Sequence, residues 1–171
     1  MRRSWGLRGP RKYASIAPLL GADRPWVWVA SMGMVGFFTF MPGTLASGLT
    51  VLLHIVLLHR LPIGIQWGLW MAVTLIGVYS SAICERRLQT DDPSFIVIDE
   101  WSGQWLALLG LPLAWPWMMA AFVLFRFLDI VKPFGIDRLE RFPHGIGVML
   151  DDVVAGAVTF GVLHLMVRFA G

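Results

Sequence analysis

The sequence predicts an all-α protein, a polytopic membrane helical bundle with about four membrane helices plus short interfacial or re-entrant helices. The first observation behind this is composition: 57% of the 171 residues are hydrophobic and only 15% are charged, with a mean hydropathy of +0.67. The second is that apolar stretches such as 63–84 run for the roughly 20 residues that a membrane crossing requires. The third is the placement of charge. Six of the fourteen basic residues (Arg2, Arg3, Arg8, Arg11, Lys12 and Arg24) precede the first apolar run, which marks that end as cytoplasmic. A soluble bundle with an unusually apolar core is the competing class. Orientation and contact with anionic headgroups account for the net charge of +3, so no nucleic-acid partner is expected. Cys84 is the only cysteine, which excludes an intrachain disulfide and a cysteine metal cage.

In chain order, residues 1–25 are expected to form a basic cytoplasmic arm broken by Pro10, Pro18 and Pro25, and residues 26–171 a single membrane-embedded domain. The run 26–41 is apolar but short, and is expected to lie in the interface or dip in as a re-entrant segment. Pro42-Gly43 should stop it, with Thr44 or Ser47 capping the next helix. The basic head, this run and Thr44-Leu45-Ala46 mimic a signal peptide, but apolar character resumes at once through Leu58, as in a retained segment. Residues 45–59 and 63–84 are the two expected crossings, separated by a turn at Leu61-Pro62. Glu85-Arg86-Arg87 should end the second, and two crossings return Arg86 and Arg87 to the cytoplasmic side. The stretches 101–111 and 117–130, divided by a break with Pro112 and Pro116, are each short for a span and are expected to form a tilted or partly inserted hairpin. Arg138, Glu140 and Arg141 fall in a polar loop. Gly145 and Gly147 loosen the backbone before a last apolar helix over 148–169, whose first turn would hold Asp151 and Asp152.

The chemistry concentrates between Asp91 and Asp152, which carry nine of the eleven acidic residues. Asp99-Glu100, then Arg126, Asp129 and Lys132, then Asp151-Asp152 lie at the edges of apolar segments. An ionised group at membrane depth costs about 3 kcal/mol or more unless it is paired or bound to a metal, so these groups are functional candidates. Asp99, Glu100, Asp129, Asp151 and Asp152 offer hard oxygen ligands, which select Mg²⁺ over zinc. Asp99, Glu100, Asp129 and Asp152 are the catalytic candidates. Adjacent acids diverge by about 100° on a helix, so one of each pair is expected to ligate and the other to support. Residues 126, 129 and 132 share a helix face. Arg126 and Lys132 suit a phosphate, the plainer reading being ion pairing with Asp129 or anchoring at headgroup level. Thr44 and Ser47, near a helix start, are further substrate-binding candidates through backbone N–H groups, with simple capping as the alternative. His54, His59 and His164 read as structural. The fold-back of the segments brings all the acidic groups to one, cytoplasmic, side.

Several phosphatase chemistries are excluded by missing patterns. Position 90 is Thr90, so Cys84 lacks the arginine of a cysteine-phosphatase loop. Absent too are the Asp-x-Asp-x-Thr run of aspartyl-phosphate enzymes, the Pro-Ser-Gly-His run of histidine-nucleophile lipid phosphatases and the Asp-Gly-x-x-Ala-Arg run of CDP-alcohol phosphotransferases. Hydrolysis by a metal-activated water remains the expectation.

Four stretches carry a family resemblance: Pro42-Gly43-Thr44 with Ser47; Ile96-Val97-Ile98-Asp99-Glu100 with Gly103; Phe125-Arg126 through Asp129 to Lys132-Pro133; and Gly145-x-Gly147-Val148-Met149-Leu150-Asp151-Asp152 with Ala155-Gly156. In this order and spacing the chain resembles the bacterial phosphatidylglycerophosphatase A family over roughly residues 33–160. The resemblance implies a Mg²⁺-dependent, multi-pass enzyme of the bacterial inner membrane, with its active site facing the cytoplasm and membrane lipids around it. It would hydrolyse phosphatidylglycerol phosphate to phosphatidylglycerol and phosphate. Carried over by position, the five acids are metal or catalytic carboxylates, and Arg126 and Lys132 the phosphate contacts. Thr39, Ala46, Gly135 and His144 depart from the family pattern and concern loop geometry, not the charged set. A divalent-cation transporter or channel subunit is the alternative function. Its weakness is that Arg126 and Lys132, beside the acids, would repel cations. A non-catalytic scaffold leaves the placement of the charges unexplained.

Overall fold

The computed structural model describes residues 21–38, 41–90, 92–133, 142 and 145–170. Most of the expected basic arm, the expected loop charges Arg138, Glu140 and Arg141, and the departures at Thr39, Gly135 and His144 lie outside the described residues. The described residues form six α-helices: α1 Arg24–Ala30, α2 Pro42–Val56, α3 Ile63–Leu88, α4 Ile98–Leu108, α5 Trp115–Val131 and α6 Ile146–Ala170. Short 3₁₀ turns occupy Val35–Phe37 and Leu58–Arg60. Three segments are long and apolar enough to cross a membrane: Pro42–Arg60, Ile63–Leu88 and Ile146–Phe169. Their outward faces carry exposed Leu52, Ile65, Leu75, Val162 and Leu165, the pattern of helices solvated by lipid. With 17 residues, α5 is at the lower limit of a crossing.

The organising element is α4. It is only 11 residues long, and the chain folds back from it into α5 so that its start stands beside Arg126. It is enclosed by α2, α3, α5 and α6, with its most extensive contact on α6. Nine of its residues, Ser102 to Leu108 among them, are buried. Glycine makes the α4–α6 approach possible. A Cβ on Gly103 would run into the Asp152 carbonyl and the Phe125 ring, and one on Gly156 into the backbone of Gly103. Small residues at such a crossing let two helix backbones meet where lipid offers no hydrophobic drive to association. Polar ties add to this on the other side: Trp70 Nε1 donates to the Ser102 carbonyl at 3.0 Å, and the Thr74 and Ser102 hydroxyls lie 2.7 Å apart.

Several helix boundaries differ from expectation, for local reasons. Pro42 does not precede α2 but opens it, with Met41 at the N-cap and no side-chain cap; the fixed φ of proline suits a first helical turn. Thr44 and Ser47 therefore sit inside the helix and do not cap it. The run 26–41 breaks into the seven-residue α1 and a 3₁₀ turn, about 10 Å of α-helix and too short to cross. It packs at the end of α3, where Asp23 pairs with Arg87 at 2.8 Å and Trp26 meets Tyr79 edge-on. α3 continues through Glu85-Arg86-Arg87 to Leu88. α5 stops at Val131, because Lys132 precedes Pro133 and takes a left-handed conformation (φ +49°). Lys132 is thus off the helix face that carries Arg126 and Asp129. α6 starts at Ile146, after Gly145 (φ +73°). Asp151 and Asp152 consequently lie in its second turn, beyond the strongest reach of the helix dipole.

Substituting Gly156→Val should force α4 and α6 apart. An overpacked helix contact loses about 1–3 kcal/mol, so the thermal midpoint of the detergent-solubilised protein should fall by roughly 5 °C or more. Gly68→Val, where nothing lies within 4 Å, should change it little.

Candidate active site

The first turn of α4 begins with Asp99 and Glu100. The short Asp99 side chain folds back, its Oδ1 accepting the backbone N–H of Glu100 at 3.0 Å. Glu100 reaches outward towards α2 and α5. Because Gly103 and Gly156 bring α6 against α4, Asp152 joins them. One carboxylate oxygen from each of Asp99, Glu100 and Asp152 can be chosen so that all three lie within 4.8 Å of one another. Asp99 and Asp152 are buried, at 8% and 2% exposure. Three carboxylates held this close, of which only Glu100 has a cation within 4.0 Å, can serve as the donor set of a metal site. One further observation fits a missing ligand: Glu100 Oε2 is buried with no hydrogen-bond partner. The acidic group can hold a metal ion.

The remaining two acids are engaged by cations. Asp129 pairs with Arg126 one turn away on α5, Nη1 to Oδ2 at 2.6 Å, and the same Nη1 stands 4.0 Å from Glu100 Oε1. Asp151 Oδ2 pairs with the Lys132 ammonium, while Asp151 Oδ1 is buried without a partner. The 151–152 pair therefore splits as the helical angle requires, one towards the carboxylate group and one towards Lys132. The 99–100 pair does not split, because Asp99 turns back on its own helix start. Asp129 lies outside the three-carboxylate group.

The N-terminus of α2 completes the wall. A Cβ at Gly43 would meet the Glu100 carboxylate and approach Arg126 Nη1 at 3.0 Å, so any larger residue there would displace these two side-chain ends. Its first turn brings the backbone N–H groups of an open helix end beside Glu100 and Arg126, a setting that favours anions. The Thr44 and Ser47 hydroxyls are buried without partners, and Ser47 is wholly enclosed. Burial pushes the Glu100 carboxyl up to about 7, and it pushes Asp99 well above the usual carboxylate range, with the neighbouring Glu100 and Asp152 charges adding.

Two residues important to this arrangement escape sequence reading. Gln104 is fully buried with neither amide atom partnered. It lies one turn beyond Glu100, and an amide at that spacing in an apolar run was the available signal. Glu85 accepts the Gly145 N–H at 2.7 Å and the Asp92 N–H at 3.3 Å, tying α3 to the segments leading into α4 and α6. Its place among charges at a helix end disguised that role. Of the histidines, the His59 and His164 rings contact the backbone carbonyls of His54 and Phe160 respectively, consistent with structural roles.

A family model described as phosphatidylglycerophosphatase A matches residues 28–167. A protein of Bacteroides thetaiotaomicron, provisionally named a phosphatidylinositol-3-phosphatase, is 38% identical over 131 residues, covering 73% of this chain and 82% of its own. The phosphatidylglycerophosphatase A of Escherichia coli is 35% identical over 153 residues, 86% of each chain. That of Haemophilus influenzae is 38% identical over 116 residues, 67% of this chain and 71% of its own. No solved structure matches the chain.

A divalent ion entering the group must displace protons from the raised carboxyls below neutrality. Mn²⁺ binding, followed by loss of the free-ion paramagnetic resonance signal, should weaken from about pH 8 to about pH 6, approaching tenfold per unit for each proton displaced. Asp152→Asn should weaken it throughout. Affinity that is flat across this range would contradict a site shared by Asp99 and Glu100.

Proposed function

The chain belongs to the phosphatidylglycerophosphatase A family, and from that premise we propose that it is a Mg²⁺-dependent phosphoric monoester hydrolase that converts phosphatidylglycerol phosphate to phosphatidylglycerol. The observation that carries this reading is the three-carboxylate group flanked by two separately held cations and an open helix N-terminus. This is a donor set for a hard divalent ion beside an anion-binding wall. The site belongs on the cytoplasmic face of the bacterial inner membrane: Glu85, which bonds to Gly145 just before α6, is followed directly by Arg86 and Arg87.

Asp99, Glu100 and Asp152 would hold the ion. When bound, Mg²⁺ supplies Lewis-acid polarisation of the phosphoryl group. Arg126 and Lys132 bind the equatorial phosphate oxygens, where charge develops in phosphoryl transfer. Asp129 and Asp151 orient these two cations, and the α2 N–H groups at Gly43 and Thr44 add donors without a charged side chain. Ser47 and Gln104 line the polar interior behind these groups.

Detergent-purified protein should release phosphate from phosphatidylglycerol phosphate with Mg²⁺ and not with EDTA. It should act far less on phosphatidic acid, phosphatidylinositol 3-phosphate or a soluble phosphomonoester. Asp152→Asn and Asp99→Asn should each lower kcat by roughly 10²–10³-fold or more, whereas Arg126→Gln should also raise KM. Absence of release by well-folded protein would overturn the assignment, and preference for the phosphoinositide would move it to that substrate.

A further inference from the structure

The starts of α2 and α4 stand together, because a Cβ built on Gly43 would meet the Glu100 carboxylate. Two turns further along each helix, Val51 of α2 and Leu108 of α4 share one apolar cluster. Gly43 to Val51 and Glu100 to Leu108 are the same distance along the chain, about 12 Å of helix. The two packed helices therefore run parallel and in register. Midway between these contacts, one turn from each, stand Ser47 and Gln104, both at 0% exposure. They share the face that each helix turns to the other. Ser47 Oγ and both amide atoms of Gln104 are buried without a hydrogen-bond partner, and so is Glu100 Oε2. Helical side chains tilt towards the N-terminus, which leans the Gln104 amide back to the level of Glu100.

We propose that Ser47 and Gln104 are positioning residues, which hold an internal water against Glu100 Oε2 and so fix the Glu100 carboxylate as a metal ligand. This rests on the metal-site reading of Asp99, Glu100 and Asp152 and deepens it. Buried polar atoms in folded proteins are nearly always bonded, and a bare one is costly. The orphaned atoms here belong to three residues within one helical turn of a single seam. They include an amide donor, a carboxylate acceptor and a hydroxyl that does either. An internal water typically makes about three hydrogen bonds to such groups. The enclosure of Ser47 and Gln104 admits a molecule of that size and no lipid group. Glu100 needs such a hold, because a long, flexible side chain loses rotamer freedom when it ligates. With Oε2 anchored from behind, Oε1 stays on the side where Arg126 Nη1 stands 4.0 Å away. Supporting groups that orient a metal ligand in this way typically contribute about 10–100-fold in metal affinity.

The experiment pairs thermal unfolding with Mn²⁺ binding. In metal-free, detergent-solubilised protein, Ser47→Ala and Gln104→Leu should each strand the other's polar atoms and lower the midpoint by roughly 3 °C or more. The double variant should lose less than the sum, because the second change removes a group already stranded. Were these atoms idle, an apolar replacement would relieve a bare polar group and each variant would melt higher, which would overturn the proposal. Strictly additive losses would also overturn it. Mn²⁺ affinity at pH 8, read from the free-ion paramagnetic resonance signal, should fall by about 10–100-fold in each single variant, and no further in the double. Gln104→Met, of nearly the same length, serves where leucine prevents folding. Trp105→Phe removes another unpartnered N–H, from a side chain clustered with Trp70 and Leu58, and should leave Mn²⁺ affinity unchanged. Unchanged affinity in folded Ser47→Ala and Gln104→Leu would overturn the proposal even if both melt lower, since the pair would then serve stability alone. A wild-type protein that binds no Mn²⁺ would overturn it as well. Coupled losses of Mn²⁺ affinity in a protein that releases no phosphate from phosphatidylglycerol phosphate would uphold the positioning and defeat the phosphatase reading, so the two fail separately.

Discussion

The close approach of α4 to α6 is the constraint on which the rest of the structure depends. At Gly103 and Gly156 the two backbones meet with no room for a side chain. That contact carries Asp152, one turn before Gly156, to the start of α4, where Asp99 and Glu100 stand. Extra separation there would carry Asp152 away from Asp99 and Glu100. At Gly43 the start of α2 leaves room instead for the side-chain ends of Glu100 and Arg126. Glycine thus serves here through what it omits, at points where a functional group must be brought near a backbone.

Burial of α4 follows from the same geometry. A helix of 11 residues is too short to cross a bilayer by itself, but enclosed by four longer helices it needs no lipid contact. Its polar residues are then supported from within, by Trp70 and Thr74 of α3. The enclosure also raises the energy of unpaired charge, which is why Arg126 and Lys132 each have an acid of their own. Pairing leaves three carboxylates with only the 4.0 Å approach of Arg126 to Glu100, and an ion that neutralises them would relieve their repulsion. The site and the fold therefore meet in one balance of charge: two local pairs hold the cations in place, and the remaining negative charge is concentrated where a metal can sit.

Sequence by itself determined the helical membrane class, the two main crossings around 45–59 and 63–84, and the identity of the charged set, because hydropathy and the cost of charge in apolar surroundings are local properties. It also indicated that Asp151 and Asp152 would face different partners, since a helix turns by a fixed angle per residue. Tertiary structure decided what depends on contacts between distant segments. It made α4 the centre of the bundle, turned Lys132 off the α5 face towards Asp151, and kept Asp99 and Glu100 together. It used Glu85 to tie α3 to the segments leading into α4 and α6, and left Gln104 buried without a partner. The central place of α4 depends on how closely two backbones approach, and that distance is set by side chains absent at Gly103 and Gly156, whose effect appears only once the opposing helix is in place.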